Sequence, residues 1–162
     1  MSENATPGEL PAIGLLKELD AETRDRMARA GRFETLAVET RLSNQGATQS
    51  TFAVLLSGKA GVYCHANGDY LHIADIKPGE TIGEMNLIDP HHSSADVIIT
   101  EKARVWIIDV HQFQEMVESD PPAAYTIMAW LARELCRRLR HSSDHMLRQA
   151  SEFRSHMRDM DY

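Results

Sequence analysis

After Asp120-Pro121-Pro122, residues 123–158 contain neither glycine nor proline. Proline removes a helix hydrogen bond and glycine adds chain entropy, so a stretch this long without either is built as one continuous helix. At 1.5 Å per residue it would be about 55 Å long, more than a small domain needs to cover its core. Its apolar stripe is Met128, Leu131, Leu135, Leu139, Ser142, Met146, Ala150, Phe153 and Met157, advancing by 3, 4, 4, 3, 4, 4, 3 and 4 residues. Such an 11-residue repeat, 3.67 residues per turn, keeps one face aligned over the whole length. A stripe that outlasts its own domain has to be covered, and a second copy of the same helix covers it. The expectation is therefore a homodimer, with Met128, Leu131, Leu135, Leu139, Met146 and Phe153 at the interface. A helix that frays after Arg140 is the alternative.

The preceding residues follow two other patterns. Leu10, Ile13, Leu16, Leu19, Met27 and Ala28 suggest helix over 7–31, with Asp20 as a cap and Gly31 as the stop. From 33 to 110 the chain is a series of short β-like runs, at 33–38, 52–56, 60–64, 70–76, 97–100 and 105–108. Asn67-Gly68 lies between two of them, as a hairpin turn with positive φ requires. Asp109 is placed to cap a short helix over 112–118. The predicted fold is mainly β with flanking helices: an antiparallel β-roll, jelly-roll-like, with an N-terminal helix and a long C-terminal dimerisation helix. Residues 1–121 would form the helix and roll and 122–162 the dimer helix, as one domain overall.

Charge and cysteine content narrow the function. With 17 Lys+Arg against 24 Asp+Glu the net charge is −7, which speaks against a dedicated nucleic-acid binder. Residues 122–162 carry seven Arg and five acids, a local +2, and Arg133, Arg137, Arg138 and Arg140 read as a solvated helix face. Cys64 and Cys136 cannot build a disulfide framework or a four-thiolate metal site, and both are expected to be buried small hydrophobes. The start shows no leader pattern and no run of about 18 apolar residues occurs, so the expected location is the cytoplasm, without a membrane anchor. Neither a nucleophile elbow nor a phosphate loop is present, and His65 and His72 lack the close pairing a metal site needs. The expectation is no enzyme activity, no catalytic residue, no metal and no cofactor. A haem sensor using His65, His72 or Cys64 is a rival from another class.

Gly46, Phe52, Leu55, Gly58 and Val62, then Pro78-Gly79-Glu80-Thr81-Ile82-Gly83-Glu84-Met85, then the stretch from Phe113 to Pro121 and Arg137-Arg138-Leu139 follow one another in a characteristic order. In this order the chain resembles a cyclic-nucleotide-binding domain, specifically the sensor half of the bacterial catabolite activator protein family. The resemblance implies a phosphate-binding cassette over 80–96, with Gly83, Glu84, Met85, Ser93, Ser94 and Ala95 at the ligand. The counterpart of Glu84 takes the ribose, that of Ser94 donates to the phosphate, and those of Ser142 and Ser143 meet the base from the dimer helix. The chemistry is consistent: a ribose hydroxyl wants a carboxylate, and a cyclic phosphate wants backbone N–H groups in a tight turn together with a cation. Two alternatives stay open: Glu84 capping the turn that follows it, and Ser142 bonding back to its own helix. The partners implied are a second copy, a cyclic nucleotide and an unidentified protein. Because the family's DNA-binding domain follows the dimer helix and this sequence stops at Tyr162, no direct DNA contact is expected.

One position departs from the resemblance. Ser93 stands where the family places an arginine on the phosphate, and 80–96 holds Glu80, Glu84, Asp89 and Asp96 without any Lys or Arg. Losing one member of a partly buried ion pair costs ~3–5 kcal/mol, roughly two to three and a half decades of affinity. His91 and His92 would supply some compensating charge as imidazolium, unless they are simply solvated loop residues. The expected function is a stand-alone sensor that binds a cyclic nucleotide such as cyclic AMP weakly, or with altered specificity, and signals through its dimer helix. The alternative is a degenerate scaffold that only dimerises or docks on a partner.

Overall fold

The computed structural model describes residues 8–66 and 68–159, the side chains of 145 and 149–159 excepted. In chain order the elements are a 3-10 turn Gly14–Glu18, α1 Ala21–Ala30, β1 Arg32–Leu36, β2 Arg41–Ser43, β3 Thr51–Ala66 and β4 Asp69–Ile76. There follow β5 Thr81–Ile82, α2 Glu84–Ile88, β6 Asp96–Asp109, α3 Val110–Ser119 and α4 Pro121–Asp159. Two compact units result, Met1–Met128 and Ala129–Tyr162, and α4 contributes to both.

The helix expected over 7–31 is two pieces. Leu19 is extended after the 3-10 turn, and the Asp20 carboxylate accepts the N–H of Thr23 at 2.7 Å. That cap starts α1 afresh, so the break is a consequence of the side chain identified as a cap. Asp109 likewise caps α3 in a reciprocal capping box with Gln112.

All pairing in the sheet is antiparallel, in the order β1-β6-β3-β4, with β2 added on β6 and β5 on β3. The runs expected at 52–56 and 60–64 are one strand, β3, and those at 97–100 and 105–108 are one strand, β6. Register shifts between Leu55 and Ala60 let β3 bend without ending, as bulges do. Its first half pairs with β5 and the end of β6; its second half pairs with β4 and the start of β6. Within the roll, Ala53, Leu55, Ala60, Ile76, Ile82, Val97, Ile99, Val105 and Ile107 form the core. Phe52, Val54, Trp106 and Ile108 are equally buried on the other face of these strands. Both faces are covered, so the sequence there is continuously apolar rather than alternating.

In the hairpin between β3 and β4, Gly68 has φ +90°, as the turn expectation requires. Asn67, the other half of that expectation, lies outside the described residues. The thiols differ from expectation: Cys136 is exposed and Cys64 only half-buried. Cys136 sits on a helix flank beside Arg137 and Arg138, which are themselves exposed, so apolar character alone did not place it inside.

α4 is continuous from Pro121 to Asp159 and therefore spans the whole stripe. Glu134 pairs with Arg137 and Arg138 one turn on, each at 3.1 Å. Exposure along the stripe rises from 0 % at Leu131 to 68 % at Leu139 and 59 % at Met146. Phe153 and the stripe members Ala150 and Met157 fall outside the described side chains. No helix among the described residues is long and apolar enough to cross a membrane.

Candidate functional site

The cassette begins where β5 turns into α2. Gly83 occupies the N-cap position of α2 in the left-handed region, φ +76° and ψ 24°. A Cβ there would come within 2.5 Å of the Thr51 carbonyl oxygen in β3. Glycine is thus required twice, by its dihedral angle and by the close backbone. Because Gly83 holds the cap position, Glu84 is the first residue of the helix and not its cap. The Glu84 carboxylate is 5 % exposed and accepts from Thr81 Oγ1 at 3.4 Å. Met85, next along, is 57 % exposed.

The other half of the cassette, 91–96, runs antiparallel to the loop between β2 and β3. Gly46 N donates to Ser93 O at 2.8 Å, Ser93 N to Ala47 O at 2.9 Å and Gln49 N to His91 O at 3.3 Å. Ser93 Oγ lies 2.5 Å from Ser43 Oγ and donates to Ala95 O at 2.8 Å. The Ser93 hydroxyl is therefore taken up within the bend, alongside Ser43 Oγ, which also donates to Ala95 O at 3.0 Å. Ser94 and Ala95 form that bend, and among the described residues no protein acceptor takes either N–H. A tight turn with two such N–H groups side by side is the kind of concavity that accepts an anion. Cys64 approaches the same bend, its Sγ 3.8 Å from Ser94 O. His91 and His92 are exposed with ring centroids 5.4 Å apart, and His92 Nδ1 lies 3.5 Å from Thr48 Oγ1.

Charge in the cassette differs from the count along its own sequence. Asp96 is 4 % exposed, and its carboxylate accepts the N–H of Gln45 at 2.7 Å, the guanidinium of Arg41 at 2.7 Å and the hydroxyl of Tyr70 at 3.0 Å. The Gln45 N–H, helped by Arg41 and Tyr70, holds this carboxyl below the usual carboxylate range against the opposing effect of burial. Burial and the neighbouring Asp96 push the Tyr70 phenol up. One of the four acids in 80–96 is thus neutralised by a cation from β2. Sequence reasoning missed Arg41, Gln45 and Tyr70, because they lie 55, 51 and 26 residues from Asp96.

A lowered carboxyl pKa stabilises the fold above the ordinary value of about 3.9, and that contribution is lost as pH falls through the lower folded value. Asp96→Asn is therefore expected to flatten the acid dependence of the urea midpoint below about pH 4. An unchanged acid dependence would show that other carboxylates carry it.

Ser142 and Ser143 lie on α4 in the second unit. Ser142 is exposed, and it is Ser143 whose hydroxyl bonds back to its own helix, to the Leu139 carbonyl at 2.9 Å. His65 and His72 stand two rungs apart in the hairpin, opposite Tyr70 and Tyr63, with the Cys64–Leu71 rung between them. Among the described residues no group of three His, Cys, Asp or Glu is arranged to hold a metal ion.

An antiparallel β-roll with an N-terminal helix and a long C-terminal helix is the fold of a cyclic nucleotide-binding domain. Residues 34–120 match the sequence model of the cyclic nucleotide-binding domain, more than half of the chain, and the protein belongs to that family. It is 28 % identical over 92 residues to the cyclic AMP receptor protein of Thermus thermophilus, covering 56 % of this chain and 43 % of that one. The chain thus spans less than half the length of that relative. Among solved structures it is similar to the N-terminal domain of a Streptomyces coelicolor transcriptional regulator, with 26 % identity and TM-score 0.65. That match covers 82 % of this chain and 90 % of the other. A cyclic nucleotide-binding domain from Methylobacillus flagellatus shares the fold with TM-score 0.74 at 20 % identity, over 81 % and 74 % of the two chains.

Proposed function

We propose that the protein is a regulatory sensor whose cassette binds a cyclic nucleotide of the cyclic AMP type weakly or with altered specificity, and whose long helix carries the response through a homodimer. The observation that carries this reading is the Ser94–Ala95 bend with its two open N–H groups, facing a sequence that has Ser93 where the family's arginine stands. The N–H pair supplies the hydrogen bonds of a phosphate cradle, and the serine withholds its cation. Gly83, Glu84 and Met85 complete the ligand set, Glu84 for a ribose hydroxyl, with His91 and His92 as phosphate-side compensation. Ser142 and Ser143 are proposed for the base.

Thermal-shift titration with cyclic AMP, cyclic GMP and cyclic dinucleotides tests the reading, since a ligand of the native state raises the melting point by mass action. A rise of about 1–5 °C with one of them at millimolar concentration is expected. No rise with any leaves the scaffold alternative. The exposed Leu139 and Met146 support a dimer through α4; a cytoplasmic setting and a protein partner downstream belong to the same proposal. Light scattering at tens of micromolar is expected to give twice the chain mass, and truncation after Leu139 to weaken or abolish the dimer. A monomeric full chain would contradict it.

A further inference from the structure

Three segments of the chain donate to the Asp96 carboxylate, and a fourth pairs with its backbone. Oδ1 accepts from Gln45 N, the point where the loop between β2 and β3 departs toward the cassette. Oδ2 accepts from Arg41 of β2 and from Tyr70 of β4, while the backbone of Asp96 is in register with Tyr63 of β3. The same loop makes the two backbone bonds that fix Ser93, through Gly46 and Ala47. Gln45 is held from a further side, since its amide accepts His65 N at 2.6 Å and donates to His65 O at 3.3 Å. Tyr70 is itself braced: its ring stacks on Tyr63 at 5.2 Å and 12°, and the His65 ring lies 4.4 Å away. The hydroxyl therefore reaches Asp96 from a side chain with little rotamer freedom left to lose. A carboxylate this buried is destabilising unless its donors are all in place, so these contacts are interdependent.

We propose that Asp96 is the positioning residue of the cassette: its carboxylate locks β2, the loop 44–50 and the β3–β4 hairpin in the register that shapes the Ser94–Ala95 bend. Asp96 acts through Gln45 and the loop, and a phosphate then meets a cradle already formed. The identity of the ligand rests on the cyclic-nucleotide reading above; the shaping of the bend does not.

Backbone amide exchange resolved by NMR, without ligand, tests it in the full chain. Tyr70→Phe removes one hydroxyl and keeps the stacked ring, Arg41→Gln removes the cation, and Arg41→Lys keeps the charge. Exchange at Gln45, Gly46 and Ser93 is expected to rise about tenfold in Tyr70→Phe and Arg41→Gln, the loss of one charge-assisted bond in a locally opening segment. Arg41→Lys should stay near wild type, and the Val105 amide in the core of β6 should be unchanged in all three. Calorimetric titration with cyclic AMP should show affinity reduced about tenfold in the first two variants.

Unchanged exchange at the three loop amides overturns the proposal. So does acceleration that includes Val105, which would mean general destabilisation, or faster loop exchange with unaltered cyclic AMP affinity. If the wild type itself takes up no cyclic AMP, the functional reading fails, and exchange alone decides whether Asp96 shapes the bend.

Discussion

Gly83→Ala is expected to cost the cassette its shape and the protein most of its nucleotide affinity. A non-glycine residue in the left-handed region pays roughly 1–2 kcal/mol for its dihedral angles alone. The new Cβ would also sit 2.5 Å from Thr51 O, a backbone atom of β3 at the rung where Thr51 faces Asp109 of β6. That rung cannot yield without disturbing the sheet, so the 83–84 turn has to move instead. Glu84 is the next residue, and its buried carboxylate moves with it. A drop in melting temperature of roughly 5 °C or more follows for a chain of this size, together with at least a tenfold loss in affinity. If Gly83→Ala melts and binds like the wild type, the turn is not what places Glu84.

Ser93→Arg is the second large effect, and it acts in the opposite direction. A guanidinium on the phosphate restores a charge-assisted contact worth ~1.5–3 kcal/mol, about one to two decades of affinity. What the substitution removes is small. Ser93 Oγ gives up its contacts with Ser43 Oγ and Ala95 O, but Ser43 Oγ still donates to Ala95 O at 3.0 Å. Ser93 is only half-buried, so a longer side chain has a way out. The backbone bonds of residue 93 to Gly46 and Ala47 do not depend on the side chain. Calorimetric titration of both proteins with cyclic AMP reads the gain directly. A scaffold with a collapsed cassette would give no heat from either.

The long helix was legible because 123–158 offers no residue able to stop it, and the roll because its β runs are short and closely spaced. The joining of those runs was not legible. Gly58 between 52–56 and 60–64 looks like a turn in sequence, whereas the strand bends through bulges at that point and continues. β2 and β5, at three and two residues, are too short to give a periodic signal. In the candidate site, Gly83, Glu84 and Ser93-Ser94-Ala95 could be named as candidates because each lies within one short stretch of sequence. The support of the bend was hidden, because Arg41, Gln45 and Tyr70 come from β2, the following loop and β4. Counting charge along 80–96 assigned Asp96 to the negative total, while in the fold Arg41 offsets it across 55 residues of sequence.

The most direct test of the account is calorimetric titration of the wild-type protein with cyclic AMP, with Gly83→Ala as the control for site-specific heat. The account predicts saturable binding at high micromolar to millimolar concentration, where the loss of a phosphate cation places it, and no saturation in Gly83→Ala over the same range. Binding at or below about a micromolar would contradict it, because a cassette with Ser93 in place of a cation would then need no compensation.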